Sequence, residues 1–464
     1  MKVSKIFALI TASFMAAAAA AGCGRKGYED FVIPVQGDSD LRPVSDIYMY
    51  SSYEGKAPVR EKTGRTVRSS DGLCKIECKD SYYDVTLDYE KGSCYDVGAA
   101  YAEAIELAFE DYSSFCEEYL FENIKAVFSE LNGDYSGIKS RTDRIFSSLP
   151  EDYRAEIDGF AGRMCGDTAG IAEDGVLSRD EVILMQLIPD VLRGTACSAI
   201  SADGSTTATG ERITCRVLEW QLGSDNQLCK GHALVHMKNG DKSFVSVSYL
   251  GFMTIMTAVN NDGVMLGELD VGSSKMVKYT CENKTSYTYG MRYALENFTS
   301  AREAAEYLVD NASSYTYCVN VLATDRKDAF VAELCTDSEE GVSLLRDGSS
   351  QLSDEIRWDN PSYLCAVNSF AANGNPDNIT HVRSNVIRWN RYNELFCGER
   401  NITVDRFKEL MTCESIDNAL IRIRSKGLVH LVIADYSTGK LQAVFTGTDG
   451  IEQTPDFIDL GSWK

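Results

Sequence analysis

TACSAI at Thr195–Ile200 begins the segment on which the predicted architecture of this chain depends. Gly210 and then RVLEW at Arg216–Trp220 complete the segment. The pattern predicts a loop of small residues that ends at a cysteine, then a strand, a turn at the glycine and a second strand. The second strand carries an arginine and a carboxylate, which is the setting that a cysteine nucleophile needs. The same residues also fit a plain core strand and a surface ion pair, because cysteine is among the most frequently buried residue types.

Cys197 would be an effective nucleophile if it became the first residue of a cleaved chain. A thiol attacks as the thiolate, so it needs a cation and a base nearby. Arg216 can provide the cation. Cleavage between Ala196 and Cys197 would free an α-amino group, whose ordinary pKa of about 7.7–8.0 suits a base near neutral pH. One cleavage would therefore create the nucleophile and its base together.

Length and composition indicate a folded globular protein. The chain has 464 residues, of which 44% are hydrophobic and 25% are charged, and these values disfavour both disorder and a polytopic membrane protein. Its formal net charge is −23, so the surface repels nucleic acid, and the sequence has no basic block with interleaved aromatic residues. We therefore expect no nucleic-acid partner.

The first residues predict export. Lys2 and Lys5 precede an apolar run that is too short for a spanning helix and ends in small residues, as in a signal peptide covering 1–22. The ending Ala-Ala-Gly-Cys also fits a bacterial lipobox, in which Cys23 would carry a lipid anchor. Residues 23–72 lack sustained periodicity and are rich in small and polar residues, so a tether or loosely ordered arm is predicted. The protein is expected to be secreted or to be a membrane-anchored lipoprotein.

Cysteine and histidine usage disfavours a zinc site. Without Cys23 and Cys197, 13 of the 15 cysteines remain, an odd number that disulfides cannot pair completely. Cys74 and Cys78 could close a short loop as a disulfide or could be separate buried thiols. The four histidines do not accompany cysteine pairs at the spacing of a zinc finger, so structural roles are favoured for them.

The pattern of the chain changes at Cys197. From 73 to 196, apolar residues recur at three- and four-residue steps and predict a mostly helical pro-region. A capping-box spacing at Ser178 starts the last of its helices. From 197 to 464, several strands come first, helices follow, and strands return before and after further helices. This order predicts the α+β class, as a layered αββα sandwich whose sheets lie between helical layers.

Several short motifs resemble the N-terminal-nucleophile hydrolases of the C45 type, the acyl-coenzyme A:6-aminopenicillanic acid acyltransferase-like proteins. More distantly, they resemble choloylglycine hydrolases and acid-ceramidase-like amidases. The resemblance covers about residues 73–464 and is carried by EIDGFAG at Glu156–Gly162, the start at Cys197, RVLEW at Arg216–Trp220, NNDGV at Asn260–Val264, AVN at Ala366–Asn368 and SNVIR at Ser384–Arg388. It implies the N-terminal-nucleophile hydrolase fold, self-cleavage before the cysteine, and a catalytic domain at 197–464.

The resemblance implies roles for three residues around the cleavage point. Cys197 corresponds to the nucleophile, Arg216 to the arginine beside the thiol, and Glu219 to an aspartate that binds the new α-amino group. Arg216 and Glu219 are three residues apart and would lie on opposite faces of a regular strand. Both can reach one site only if the strand ends or bulges there.

Three further residues correspond to later parts of the same site. Asn368 matches an asparagine that stabilises the tetrahedral intermediate, and Arg388 matches a late arginine. Asp270 falls near the position of an asparagine oxyanion donor, although a carboxyl group donates a hydrogen bond only when it is protonated.

Together, these features predict an exported, self-cleaving amidohydrolase or acyltransferase. It would act on the carbon–nitrogen bond of a small-molecule amide through an acyl-thioester, without a cofactor or metal. Two alternatives stay open. One is a surface lipoprotein of the same fold that binds a ligand or partner without catalysis, and the other is a phospholipase B-like ester hydrolase.

Overall fold

The computed structural model describes residues 64–127, 134–192, 197–224, 226–271, 283–336, 341–354, 356–358, 360–375, 383–412, 428–447 and 456–463. The predicted signal peptide at 1–22, the lipobox residue Cys23 and the residues just before Cys197 lie outside these ranges. Within them, every helix is too short or too polar to cross a membrane.

Residues 64–192 form three short strands and then a set of helices. The strands are β1 (Thr66–Arg68), β2 (Cys74–Cys78) and β3 (Tyr83–Asp88). The helices are α1 (Cys94–Ala108), α2 (Tyr112–Val127), α3 (Ser136–Ser148), α4 (Glu151–Cys165), α5 (Arg179–Gln186) and α6 (Ile188–Val191). The end of the segment 23–72, for which a loose arm is predicted, is instead ordered, because β1 pairs with β2.

After Cys197, strands and helices follow each other in the predicted order. Six strands come first: β4 (Ser198–Ala202), β5 (Ile213–Glu219), β6 (His232–Lys238), β7 (Phe244–Tyr249), β8 (Thr257–Asn260) and β9 (Met265–Asp270). The helices α7 (Tyr287–Asn297) and α8 (Ala301–Asn311) lead to β10 (Val319–Thr324), β11 (Ala329–Leu334), β12 (Leu344–Arg346) and β13 (Tyr363–Ala366). The last elements are α9 (Arg383–Phe396), α10 (Val404–Met411), β14 (Leu428–Asp435), β15 (Lys440–Phe445) and β16 (Ile458–Ser462).

The described strands form two sheets. The larger has ten strands in the order β1-β2-β3-β6-β7-β8-β9-β10-β11-β12, and the smaller has six in the order β13-β4-β5-β14-β15-β16. The strands β3 and β6 run parallel, with Tyr83 opposite Ala233, and the other neighbours in the two sheets are antiparallel. The strands that precede the helices therefore complete one edge of a sheet built mainly by the later chain.

Three buried apolar layers separate these elements. One lies between the sheets and joins Leu234 and Val259 of the larger sheet to Val432 and Ala443 of the smaller one. A second packs the outer face of the larger sheet against α1, α4, α7 and α8. A third packs the outer face of the smaller sheet against α9 and α10. The order helix, sheet, sheet, helix confirms the predicted α+β class and its layered αββα sandwich.

The helix predicted from Ser178 begins as expected. Ser178 and Glu181 form both hydrogen bonds of a capping box, and α5 follows. The helix stops at Gln186, and Pro189 lies in the first turn of α6. Because proline has no N–H to donate, it cannot continue the hydrogen-bond ladder of the preceding turn.

Cys74 and Cys78 are separate buried thiols, the second of the two predicted alternatives. They are the first and last residues of β2 and share its buried face. In an extended strand, residues four apart lie about 13 Å from each other. A disulfide requires Cα atoms about 4.4–6.8 Å apart, so these two thiols cannot bridge.

A buried ion pair joins the helical segment to the later chain. Arg292 of α7 donates from Nη1 to Glu156 of α4 at 2.6 Å and from Nε to Glu296 at 2.9 Å. Tyr89 also donates to Glu156, and the guanidinium of Arg292 lies 4.7 Å from the ring centre of Tyr153. Burial raises the pKa of Glu156 despite the opposing charge of Arg292.

The motif EIDGFAG at Glu156–Gly162 also lets two helices approach closely. A Cβ at Gly159 of α4 would lie 2.0 Å from the carbonyl oxygen of Tyr95 on α1. A Cβ at Gly98 of α1 would lie 2.0 Å from the carbonyl oxygen of Glu156. Since no side chain fits at either position, the contact of α1 with α4 depends on the two glycines.

We predict that Arg292→Ala lowers the free energy of unfolding by about 3–5 kcal/mol, because it leaves the carboxylate of Glu156 buried and unpaired. Urea unfolding measures the loss. Lys440→Ala is the control: it removes an exposed pair with Asp459 at 2.9 Å, whose side chains are 46% and 56% exposed, and should cost at most about 1 kcal/mol. Equal losses in the two variants would contradict the role of the buried pair.

Candidate active site

Cys197 lies directly before β4, an inner strand of the smaller sheet. The strand β4 pairs with β13 on one side and with β5 on the other. In the intact chain, Cys197 has no solvent-exposed surface. Its Sγ accepts a hydrogen bond from Nη2 of Arg216 on β5 at 3.1 Å. A guanidinium at this distance favours the thiolate over the thiol, so the structure brings together the two residues that the first motif singled out.

Arg216 is completely buried in the layer between the sheets. Its Nη2 also donates to the carbonyl oxygen of Glu268 at 2.7 Å and lies 3.8 Å from Oε1 of the same residue. Glu268 is also fully buried, so the two charges attract each other in surroundings of low dielectric constant. Gly267 makes room for this arginine, since a Cβ there would lie 2.9 Å from Cγ of Arg216.

Glu219 reaches the site because its strand ends there. It is the last residue of β5, and opposite it the register of β14 shifts between Leu428 and His430. This satisfies the condition under which Arg216 and Glu219 can serve one site. Arg388 of α9 links Glu219 to the cysteine: its Nη1 donates to the carbonyl oxygen of Cys197 and lies 3.3 Å from Oε2 of Glu219.

Asn368 and Asp270 contact each other, and Asn368 also contacts Arg388. Nδ2 of Asn368 donates to the main-chain carbonyl of Asp270 at 2.6 Å, and its Oδ1 accepts from Nη2 of Arg388 at 2.9 Å. Asn385 of α9 accepts from the same Nη2 at 2.7 Å. Asp270 therefore contacts Asn368 through its main-chain carbonyl oxygen. The six residues predicted from the sequence form one connected group.

Two polar residues of the hairpin β10–β11 hold the loop that carries Asn368. Nδ2 of Asn320 donates to the carbonyl oxygens on either side of Asn368, at 3.0 and 2.7 Å. Glu333 lies opposite Asn320 in the hairpin and accepts from the N–H groups of residues 371–372 at 2.9 and 3.0 Å. The hairpin therefore fixes the position of a loop to which it is not adjacent in sequence.

Glu268, Asn320 and Glu333 were not predicted as site residues from the sequence. Each stands between apolar residues or glycine in its strand, and each is fully buried. Carboxylates and amides are rarely buried unless they are hydrogen-bonded or paired. A charged or amide side chain flanked by apolar residues in a buried strand was therefore an available signal for the site.

Burial makes other thiols of the chain poor nucleophiles. It raises the pKa of Cys116 and Cys165 to about 12 and that of Cys94 to about 11. Cys215 precedes Arg216 in β5 but packs on the outer face of the sheet, where burial raises its pKa well above the ordinary value. Cys197 differs from these because a guanidinium contacts its sulfur.

The histidines near the site have structural contacts. Burial and the charge of Arg216 hold the pKa of His430 well below its ordinary value, and its Nε2 lies 3.2 Å from Oγ1 of Thr257. Nε2 of His232 lies 3.0 Å from the carbonyl oxygen of Thr446. Within the described ranges, no three His, Cys, Asp or Glu side chains converge closely enough to hold a metal ion.

A small apolar pocket, with a cavity volume of about 60 Å³, lies where the helical segment meets the larger sheet. Phe115 and Tyr119 of α2, Tyr249 of β7 and Trp220 are among the residues that line it. Trp220 directly follows Glu219 in the chain, so the pocket adjoins the end of β5. Walls of this kind suit a hydrocarbon group.

Comparisons with known proteins give structural similarity only. No protein-family model and no curated protein matches the sequence. A Caenorhabditis elegans N-acylethanolamine-hydrolyzing acid amidase ortholog is 14% identical with a TM-score of 0.36, over 51% of this chain and 92% of that chain. Two variants of the conjugated bile acid hydrolase from Clostridium perfringens are each 12% identical with a TM-score of 0.34, over 57% of this chain and 92% of that chain. Values this low assign neither a family nor a substrate to this chain.

We predict that Gly267→Ala displaces Arg216 from the sulfur of Cys197. The added methyl group meets Cγ of the arginine, which cannot move without shifting its guanidinium. In the processed protein, misplacement of this order should slow the reaction of Cys197 by about 100-fold, measured as iodoacetamide labelling of that residue. Gly137→Ala in α3 is the control, since its Cβ would meet nothing within 4 Å. A variant that folds normally and labels at the rate of the unchanged protein would contradict this role of Gly267.

Proposed function

We propose that this protein is an exported cysteine amidase that cleaves its own chain before Cys197 and then hydrolyses small-molecule amides. The observation that carries the proposal is the hydrogen bond from Nη2 of Arg216 to Sγ of Cys197 at 3.1 Å, between two fully buried side chains. A plain core strand does not need a buried guanidinium at its cysteine, because burying that charge costs several kcal/mol.

In the cleaved protein the α-amino group of Cys197 takes the proton of its own thiol. The thiolate attacks the carbonyl carbon of the amide, and the carbonyl oxygen becomes an oxyanion. Asn368 and main-chain N–H groups stabilise this oxyanion, in the manner of side-chain and backbone donors at other acyl-transfer sites. The carbon–nitrogen bond then breaks as the α-ammonium group protonates the leaving amine. Water, activated by the same amine, attacks the thioester and releases the acid.

Glu219 and Arg388 would position the new chain terminus. Arg388 donates to the carbonyl oxygen of Cys197 and contacts the carboxylate of Glu219. This arrangement supports a carboxylate within reach of the α-amino group, where it would hold the ammonium form that appears during turnover. Glutamate is one methylene longer than the aspartate of the resemblance, and the contact with Arg388 fixes the direction of the longer side chain.

The substrate proposed is an amide with an apolar acyl group. The pocket that adjoins the end of β5 is lined by aromatic and aliphatic side chains and offers few polar groups. A hydrocarbon chain placed there would gain about 25 cal/mol for each Å² removed from water. Hydrolysis of N-acyl amides of increasing chain length tests this assignment, and preference for short or charged acyl groups would argue against it.

We expect Cys197→Ala to abolish both self-cleavage and amide hydrolysis, because the attacking sulfur is lost. N-terminal sequencing of the purified protein and a liquid-chromatography assay of released amine measure the two effects. Cys215→Ala is the matched control: it removes a neighbouring buried thiol from the opposite face and should keep both activities. An uncut chain that still hydrolyses amides at an unchanged rate would overturn the assignment of the nucleophile.

In the processed protein at pH 8, we expect iodoacetamide to label Cys197 before Cys116 and Cys165. The pKa of those two thiols is about 12, so only about one part in ten thousand is thiolate at pH 8. The contact with Arg216 favours the thiolate of Cys197, and Arg216→Met should slow its labelling without changing that of the others. Peptide mapping by mass spectrometry reads out the order, and equal labelling of all three would refute it.

Experiments can distinguish three alternative functions from the proposed one. A surface lipoprotein that only binds a ligand would show no new N-terminus at Cys197 by intact mass. A phospholipase B-like hydrolase would cleave ester substrates in preference to matched amides. An acyltransferase would pass the acyl group to an added amine at the expense of hydrolysis. Mass spectrometry of the mature N-terminus tests the localisation: a lipid on Cys23 indicates membrane anchorage, and its absence indicates secretion.

A further inference from the structure

Two cysteines face each other at the open end of the hairpin β10–β11. Cys318 directly precedes β10, and Cys335 directly follows β11. The two strands are antiparallel, with Val319 opposite Leu334 as their last pair. The next opposed pair in this register is therefore Cys318 with Cys335.

The main-chain hydrogen bonds show which kind of pair this is. The carbonyl oxygen of Cys318 accepts from the N–H of Val271, on the side of β9, at 3.4 Å. The N–H of Cys335 donates to Oγ of Ser343 at 3.0 Å, and its carbonyl oxygen accepts from the same hydroxyl at 3.0 Å. Both residues thus direct their main-chain groups away from each other. In such a non-hydrogen-bonded pair the Cα atoms are about 4.5 Å apart, within the range that a disulfide spans.

Both side chains point to the same face. They belong to one small buried cluster with Val271 and Phe370, and their residues are 1% and 6% exposed. Sγ of Cys318 lies 3.3 Å from the main-chain nitrogen of Thr336, the residue that follows Cys335. The sulfur of Cys318 is therefore already directed across the hairpin toward the position of its partner.

We propose that Cys318 and Cys335 form a cross-strand disulfide that closes the end of this hairpin. In forming it, each thiol loses its proton, a sulfur–sulfur bond is made, and two electrons pass to an oxidant. The oxidant is a disulfide of low molecular weight, such as oxidised glutathione, which accepts the electrons and protons and leaves as two thiols. The export predicted from residues 1–22 would take the chain to a compartment where such bonds persist.

The crosslink would act on the candidate active site through its two apolar neighbours. Val271 follows Asp270, whose carbonyl accepts from Asn368. Phe370 lies two residues beyond Asn368, on the loop that Asn320 holds from the same hairpin. A crosslink at the end of β10–β11 therefore holds the hairpin whose Asn320 supports Asn368, the residue proposed to bind the oxyanion. The crosslink itself does not depend on the proposed catalytic function, because it is detected without any substrate.

The test uses the full chain, equilibrated with oxidised glutathione and, in parallel, with a reducing agent. After free thiols are blocked in denaturant, a digest of the oxidised sample should contain one peptide pair joined through Cys318 and Cys335, lighter by two hydrogen atoms than the separate peptides. The oxidised protein should unfold at a temperature about 4 °C higher than the reduced protein. A fully oxidised sample in which these two cysteines stay free, or pair with others, overturns the proposal.

Serine variants provide the controls. Cys318→Ser and Cys335→Ser should each abolish the crosslinked peptide and the difference in melting temperature between the two redox conditions. Cys74→Ser should keep both, because that thiol lies on a single strand with Cys78 and cannot bridge to it. Each variant is compared with itself under oxidising and reducing conditions, so a general loss of stability does not affect the result. A redox difference that persists in Cys318→Ser would also overturn the proposal.

Discussion

The buried guanidinium of Arg216 is the constraint on which the rest of the structure depends. A charge enclosed between two sheets costs several kcal/mol unless it is paired and hydrogen-bonded. Here Glu268 supplies a carboxylate and a carbonyl oxygen from the larger sheet, and Cys197 supplies a sulfur from the smaller one. Gly267 leaves the space that the arginine fills. These contacts link the two sheets and place the thiol beside the guanidinium.

The remaining site residues are held by elements far from them in the chain. Asn368 lies on a loop, and Asn320 and Glu333 of the hairpin β10–β11 bind the main chain of that loop. Arg388 of α9 then connects Asn368 to Glu219 and to the carbonyl oxygen of Cys197. Each group is thus positioned by hydrogen bonds to rigid elements, which is what a reaction sensitive to small displacements requires.

The helical segment before Cys197 is part of the same folded unit as the strands after it. The strand β3 pairs with β6 in the larger sheet, and Glu156 pairs with Arg292 in a buried cluster. A cut in the chain before Cys197 would leave these contacts in place. In the motif at Glu156–Gly162, Gly159 lets two helices pack closely and Glu156 pairs with Arg292.

The sequence by itself determined the alternation of strands and helices, the layered α+β class, and a cysteine placed before a buried strand with an arginine to follow. Hydrophobic periodicity and cap residues involve residues that are close in sequence, so the elements that they specify can be predicted from the sequence alone. Only the tertiary structure decided that Glu268 pairs with Arg216, that Asn320 supports Asn368, and that Cys318 faces Cys335. These contacts join residues on different strands, and the order and register of the strands exist only once the two sheets have assembled.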